Sequence, residues 1–480
     1  MKLLLFQIDG LSYQDFIWAL EQNLVPKTKK WLAKNNYQIN QYFTGLPTST
    51  FAFQAKLFYN CGQGFPSYRF FDKKHRQPIS ASIGNQVKLM VENLQLKPRS
   101  IFEDLIVLEG IFSPGDKDHS LAVQNFPEGF SINSFFKRRP VKLKGPDWPF
   151  LFSLPVNTLI NFIQISYFWL KTKRNLRIPF AWWYFWSQWF LFTVLMPYYY
   201  YYLRYLLWQS KQSIYFNCSG FDITAHAYSK RSRPVRQVLQ NCDHALAKII
   251  KLAKKKNYQP IIFSDHGMTN SRIFEEESGK RLKKWIGDFI GHEKGITIDE
   301  YPYPYTKRPN TDPLNSSADI YIANSGQISL IYFAKYDRRL TFNEIEKEFP
   351  KLISEIGDIR GIGVMAVKTE EGYWVGGKEG IGEFRGLPVG GGDFRVISGK
   401  NPLAKFGDLK FNQPAFLKWI SDENQADITL LGDYNKDKDR VICFEDQVAQ
   451  HGGFGGEQTQ AFYCCPINFQ KKFLKLIKES

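Results

Sequence analysis

Cysteine is scarce in this 480-residue chain. Six residues (Cys61, Cys218, Cys242, Cys443, Cys464 and Cys465) stand at spacings that never form C-x-x-C. That pattern excludes a disulfide scaffold and a Cys-type zinc site, and makes a reducing compartment the default. Cys464-Cys465 reads as packing, because neighbouring side chains on a strand point to opposite faces. A secretory signal is also lacking: the apolar start, Met1 to Leu5, is interrupted by Gln7 and Asp9, and no cleavage site of small residues comes after it. No internal repeat is visible. With 44% hydrophobic and 23% charged residues, collagen-like, low-complexity and disordered classes are excluded. The length accommodates two or three domains and a large core.

Acidic residues are in short supply, 46 against 63 Lys plus Arg, a net charge of +17. The deficit is local: residues 131–236 hold 15 basic residues and only Asp147 and Asp222, so this stretch contributes 15 − 2 = +13. Within it lie two nearly uncharged runs, Trp148 to Leu170 and Ile178 to Leu203, separated by a basic loop, Lys171 to Arg177. Each has the length to cross a bilayer. Seven of the twelve tryptophans fall between 148 and 208. Pro149, Pro155, Pro179 and Pro197 interrupt the runs, so the expectation is a helical hairpin lying in a membrane interface. Trp182, Trp183, Trp186 and Trp189 would form its buried face. If the segment spans, its basic flanks (Lys137, Arg138, Arg139, Lys142, Lys144; Arg204, Lys211) would lie in the cytoplasm. The expected location is therefore cytoplasmic, peripheral or hairpin-anchored at an anionic membrane surface. The alternative is an aromatic insertion packed on its own domain or at a dimer contact, and the oligomeric state stays open. Nucleic acid is disfavoured as a partner, because no reading motif accompanies the charge.

Outside this stretch, strands and helices alternate. Lys2 to Ile8, Ser213 to Asn217 and Gln259 to Ser264 read as strands, and Tyr13 to Leu20 and Phe51 to Tyr59 as helices. Arg233 to Lys255 shows Val235, Val238, Leu239, Cys242, Leu246, Ile249 and Ile250 at helical spacing. This order argues an α/β fold, a sheet with helices on both faces plus an aromatic-rich helical insertion. Ile296 to Ser317 reads as a long loop. Asp319 to Asn324 and Ile328 to Phe333 are further strands, Phe342 to Ile356 a helix, and Gly361 to Gly399 hairpins.

Three apolar strands end in residues able to bind a metal: Leu3 to Asp9, Ser213 onward to Asp222, and Gln259 to Asp265-His266. In open α/β sheets, ligands bind at the carboxyl ends of strands. Asp222 and His226, four apart, share one side of a helical turn. With His451 these give six carboxylate or imidazole ligands, enough for two ions at three each with a position left for substrate. Their order is distinctive: Asp9-Gly10 after the first strand, Pro47-Thr48-Ser49-Thr50 some 40 residues on, Asp222-x-x-x-His226, Ser264-Asp265-His266-Gly267, and His451-Gly452-Gly453. In that order the chain resembles the alkaline phosphatase superfamily, in its type I phosphodiesterase and nucleotide pyrophosphatase branch. The resemblance covers about residues 1–75, 213–270 and 318–467.

The resemblance implies a phosphodiester hydrolase with two divalent metal ions, zinc or alternatively manganese or iron. One would be held by Asp222, His226 and His451, the other by Asp9, Asp265 and His266, with Thr50 as nucleophile. A threonine hydroxyl needs a lowered pKa to attack, and a helix N-terminus suits a phosphate. The branch usually carries an Asn after the nucleophile helix, and Gln63 to Asp72 has none; Arg69, Asn60 or helix N–H groups would substitute. Apolar Phe51, Ala52 and Phe53 favour diesters over monoesters by offering a wall to the second substituent. Absence of Cys or Ser before x-Pro-x-Arg disfavours a sulfatase. Other readings are a phospho-headgroup transferase or lipid phosphodiesterase at a membrane, and a membrane-binding module with a degenerate site. His75, His119, His244 and His292 stand outside the motif, and the glycines of 452–456 would let the backbone approach the metals. The expected domains are catalytic core over 1–145, insertion over 146–210, core over 211–295, core continuation with a Gly-rich subdomain over 296–425, and core over 426–480.

Overall fold

The computed structural model describes residues 2–128, 148–173, 177–178, 182–291, 295–302, 317–386 and 393–478. His292, Pro179 and the basic residues expected as the first flank, Lys137 to Lys144, lie outside them. The centre is a six-stranded sheet. Its strands are β1 (Lys2–Ile8), β2 (Tyr37–Phe43), β3 (Ile106–Leu108), β4 (Ile214–Cys218), β5 (Tyr258–Phe263) and β6 (Gln460–Pro466), in the spatial order β2-β6-β5-β1-β4-β3. β3, β4, β1 and β5 run parallel, and β6 is antiparallel to β5. β1 is apolar from Leu3 to Phe6 because both of its faces are covered. Leu3 and Leu5 enter one core cluster, and Leu4, Phe6 and Ile8 the other. Cys465 and Cys464 divide in the same way, as packing requires.

Helix α1 (Tyr13–Glu21) follows β1, and α2 (Thr50–Tyr59) follows β2. The helical insertion comprises α3 (Trp148–Lys171), α4 (Trp182–Phe190), a π turn over Leu191–Leu195 and α5 (Met196–Gln209). It feeds β4, then α6 (Gly220–Tyr228) and α7 (Arg233–Lys255). In α7 the expected apolar face is buried, apart from half-buried Val238. A second sheet of eight strands, from Ile298–Tyr301 to Ile428–Gly432, packs its own core of Ile320, Ile331, Ile362 and Ile428.

Several expectations change here. Ile298–Tyr301 is a strand, paired in parallel with Ile320–Ser325, within the segment read as loop. The helix expected over 342–356 is two, Phe342–Glu348 and Leu352–Asp358, because Pro350 has no N–H to donate and Lys351 takes a φ of +69°. Pro149 and Pro155 do not end α3: the first lies in the opening turn, where the N–H has no partner anyway, and the helix continues through the second. No helix among the described residues is long and apolar enough to cross a membrane. Asn157, Asn161 and Gln164 dilute α3, and a π turn divides the described part of the second run.

Candidate metal centre

The parallel strands β4, β1 and β5 are neighbours, so the residues leaving their carboxyl ends converge. Asp9 follows β1, Asp222 sits in the first turn of α6 after β4, and Asp265-His266 follows β5. Because β6 runs the other way, the segment that enters it, with His451, arrives at the same edge. Gly10 makes the convergence possible. Its φ is +71°, and a Cβ there would lie 2.8 Å from Asp222 Oδ1. The glycines after His451 do other work: side chains at Gly453, Gly455 and Gly456 would collide with Gln327, Tyr434 and Thr269, so they allow loop packing and do not bring backbone to the centre.

Thr50 opens α2. The N-cap is Ser49, whose Oγ accepts from Phe51 N–H at 3.3 Å, so the Thr50 hydroxyl is not spent on capping. It donates to Asp265 Oδ2 at 2.8 Å and lies 3.2 Å from Asp9 Oδ1 and 3.4 Å from His266 Nε2. His266 Nε2 is 3.3 Å from Asp265 and 3.6 Å from Asp9. On the other side, His226 Nε2 is 3.1 Å and His451 Nε2 3.6 Å from Asp222. The His266 and His451 rings stack with centroids 3.9 Å apart. All seven residues expected from the sequence are thus brought together. Ligand atoms of Asp9, Asp265 and His266 fall within 4.8 Å of one another, as do those of Asp222, His266 and His451, so His266 stands between the two groups.

Each imidazole is oriented through its other nitrogen. Nδ1 of His226 donates to Ala449 O at 2.8 Å, that of His266 to Gly267 O at 3.1 Å, and that of His451 to Thr48 O at 2.6 Å. A carbonyl only accepts, so Nδ1 carries a proton in each ring and Nε2 is turned toward the carboxylates. Nε2 is thereby the nitrogen left for a metal ion. Burial lowers His266 to about 4, and burial with the neighbouring His266 lowers His451 to about 3. Burial raises Asp265 to about 6, and burial, reinforced by Asp265 and Asp222, pushes Asp9 well above its ordinary value. For Asp222 burial works upward, but His226, with His451 and His266, outweighs it and holds the group low. Asp222 Oδ1 is buried without a hydrogen-bond donor. Like charges packed in low dielectric around an unsatisfied oxygen form a set that a cation would neutralise, and its carboxylate and imidazole donors suit zinc, manganese or iron.

Sequence reasoning missed two supports. Asn217 donates through Nδ2 to Asp9 Oδ2 at 2.7 Å, from a strand position paired with Gln7. Thr48 clamps the His451 loop: its carbonyl holds Nδ1, and Gly452 N–H donates to its Oγ1 at 2.7 Å. Thr48 belongs to the Pro-Thr-Ser-Thr motif; Asn217 has no signal beyond lying at a strand end. Of the stand-ins for the absent Asn, Arg69 is paired with Glu445 at 2.7 Å. Asn60 caps the far end of ten-residue α2, about 15 Å from Thr50. The first-turn N–H groups of α2 remain. The expected apolar wall is corrected too. Phe51 turns into the core, stacking on Phe112, while half-buried Ala52 and buried Phe53 border the cleft beside it. Beside that turn a cleft of about 430 Å³ is lined by Ser49, Ala52, Asp265, Phe43, Phe411 and Lys410. His244 is exposed on α7, and His75 and His119 pair with Asp72 and Asp116, all away from the centre.

Residues 185–320 match the type I phosphodiesterase / nucleotide pyrophosphatase family, a segment that includes Asp222, His226, Asp265 and His266. No curated protein matches the chain. Among solved structures it is similar to phosphonoacetate hydrolase from Sinorhizobium meliloti 1021 in complex with phosphonoacetate. That likeness has 11% identity and a TM-score of 0.50, over 100% of this chain and 96% of that one. It is also similar to murine ectonucleotide pyrophosphatase / phosphodiesterase 5, with 13% identity and a TM-score of 0.46 over 97% and 88%. The α/β fold is therefore that of alkaline-phosphatase-like proteins. The family match is confined to residues 185–320, and the likeness to the solved structures is one of fold.

Proposed function

We propose that the protein is a metal-dependent phosphodiester hydrolase in which Thr50 is the nucleophile and two divalent ions, zinc in the first instance, occupy the centre. Asp222, His226 and His451 would hold one ion, and Asp9, Asp265 and His266 the other. The observation that carries this reading is the common orientation of the imidazoles, each with Nδ1–H on a carbonyl and Nε2 toward a carboxylate. Bound ions would supply Lewis acidity, lowering the pKa of a coordinated hydroxyl and neutralising phosphate charge.

The chain's own groups account for the rest. The Thr50 proton is directed at Asp265 Oδ2. Attack forms the Thr50 Oγ1–P bond and breaks the bond from phosphorus to the leaving alkoxide, which departs as an alcohol after taking a proton. Water then attacks phosphorus, the P–Oγ1 bond breaks, and the proton returns to Thr50, leaving a phosphomonoester. The N–H groups and positive end of α2 face the phosphoryl oxygens. The second substituent of the diester fits the cleft bordered by Ala52, Phe43 and Phe411, where Lys410 would meet a negative charge.

Bis(p-nitrophenyl) phosphate and p-nitrophenyl phosphate, assayed in parallel with metal analysis, test the proposal. About two zinc ions per chain, faster turnover of the diester and loss of activity in chelator are the expected results. Faster turnover of the monoester would overturn the diester assignment, and a metal-free, active protein would overturn the centre. In His451→Ala, retention of both ions would remove that residue from the ligand set.

A further inference from the structure

Helix α3 is inside out for a protein surrounded by water. A surface helix normally turns its apolar stripe inward and its polar face to solvent. Here Val156, Leu159, Ile160, Ile163, Tyr167 and Leu170 recur at the spacing of one helical face, and every one is exposed, from 39% at Tyr167 to 80% at Leu170. The amides of the same helix, Asn157, Asn161 and Gln164, turn the other way, into a cleft of about 1110 Å³ shared with α5 and α7. From Val156 to Leu170 the stripe runs about 21 Å along the axis. A contiguous apolar surface of this kind on a protein marks a partner.

We propose that this face of α3 lies on an anionic lipid bilayer, with its apolar residues among the acyl chains and nearby cations among the headgroups. The charge beside the stripe selects this occupant. Lys171 and Lys173 follow Leu170 directly. Arg233 donates to Tyr167 Oη at 2.8 Å and stacks on that ring, and Arg177 stacks on Trp169. A second copy would bring equal positive charge to the same contact, whereas an anionic bilayer neutralises it. Of the tryptophans expected to make this face, Trp186 is 47% exposed and packs against Phe162 of α3. Trp189 turns inward and donates through Nε1 to Thr158 O at 3.3 Å, and the side chains of Trp182 and Trp183 lie outside those described. The proposal is independent of the chemistry assigned to Thr50.

Sedimentation with vesicles of phosphatidylcholine, alone or with 30 mol% phosphatidylserine (roughly the anionic load of a cytoplasmic leaflet), tests it at low and high salt. The protein should bind the mixed vesicles, lose part of that binding in high salt, and retain the apolar remainder. Leu159→Glu with Ile163→Glu should cut partitioning by about 10-fold or more while leaving turnover of a soluble diester unchanged. Lys171→Gln with Lys173→Gln, which does not touch the apolar face, should remove about 10-fold at low salt only. Failure of the unsubstituted protein to bind mixed vesicles at low salt would overturn the proposal. So would unaltered binding by the Glu pair, or a dimer in solution that the Glu pair dissolves.

Discussion

At the carboxyl edge of the central sheet, polar side chains point inward at one another; along α3, apolar side chains point outward at water. Both reverse the usual partition, and each is sustained differently. The inward cluster is embedded in a core that includes fully buried Phe51 and Leu5, and backbone carbonyls hold each ring. Desolvating Asp9 and Asp265 costs free energy that a cation bound at the centre would return. The outward stripe has no such frame, and leaving apolar area in water forfeits roughly 25 cal/mol per Å². The contrast teaches that a fold can carry a local penalty where an external partner would remove it, in the proposals above an ion in one region and a lipid surface in the other.

Replacing the frame should do the most damage. Phe51 is fully buried, stacked on Phe112 with centroids 5.2 Å apart and edge-on to Phe65. Phe51→Ala should therefore cost about 3–5 kcal/mol in denaturant unfolding. A loss below about 1.5 kcal/mol would mean that the core beside Thr50 closes around the gap, and the contrast between a rigid centre and an unframed insertion would weaken.

Thr50→Ala probes the centre without touching that frame. Turnover of a diester should fall more than ~100-fold, with metal content near that of the unsubstituted protein, because three protein ligands per ion persist. Retained turnover would direct attention to Ser49 or Thr48. Smaller again is Asn217→Ala, which strips Asp9 Oδ2 of its 2.7 Å donor. A support of this kind is worth about 10-fold in metal affinity or activity, and titration of the apoprotein with zinc would read it. An unchanged affinity would make Asn217 a packing residue.

Much of the centre is legible in the sequence because its parts have one-dimensional signatures. A run such as Leu3 to Phe6, apolar on both faces, belongs to a parallel strand, and residues just past the carboxyl end of such a strand belong to a site. Thr50, the Asp222/His226 pair and Asp265-His266 emerge from that logic together with the resemblance. Asn217 is not legible, because its role depends on the register that sets it opposite Gln7 and beside Asp9. The inward turn of Phe51 also depends on what packs above α2. In the insertion, tryptophan count alone leaves out most of the exposed stripe, which lies on α3 among residues whose shared face only the helix reveals.

The smallest expected effect closes the comparison. Leu159 is 62% exposed on α3, so Leu159→Ser removes no buried contact in water and should change unfolding stability by less than about 0.5 kcal/mol. The same truncation at Leu239, buried in α7 and in contact with the sheet's core cluster, should cost several times more, about 2–5 kcal/mol. Denaturant midpoints of the two variants, measured with vesicles absent, set the regions side by side. A loss above about 1 kcal/mol at Leu159 would mean that the stripe is covered in solution by this chain or a second copy. The outward face of α3 would then be part of the folding core, and its lipid partner would have to be abandoned.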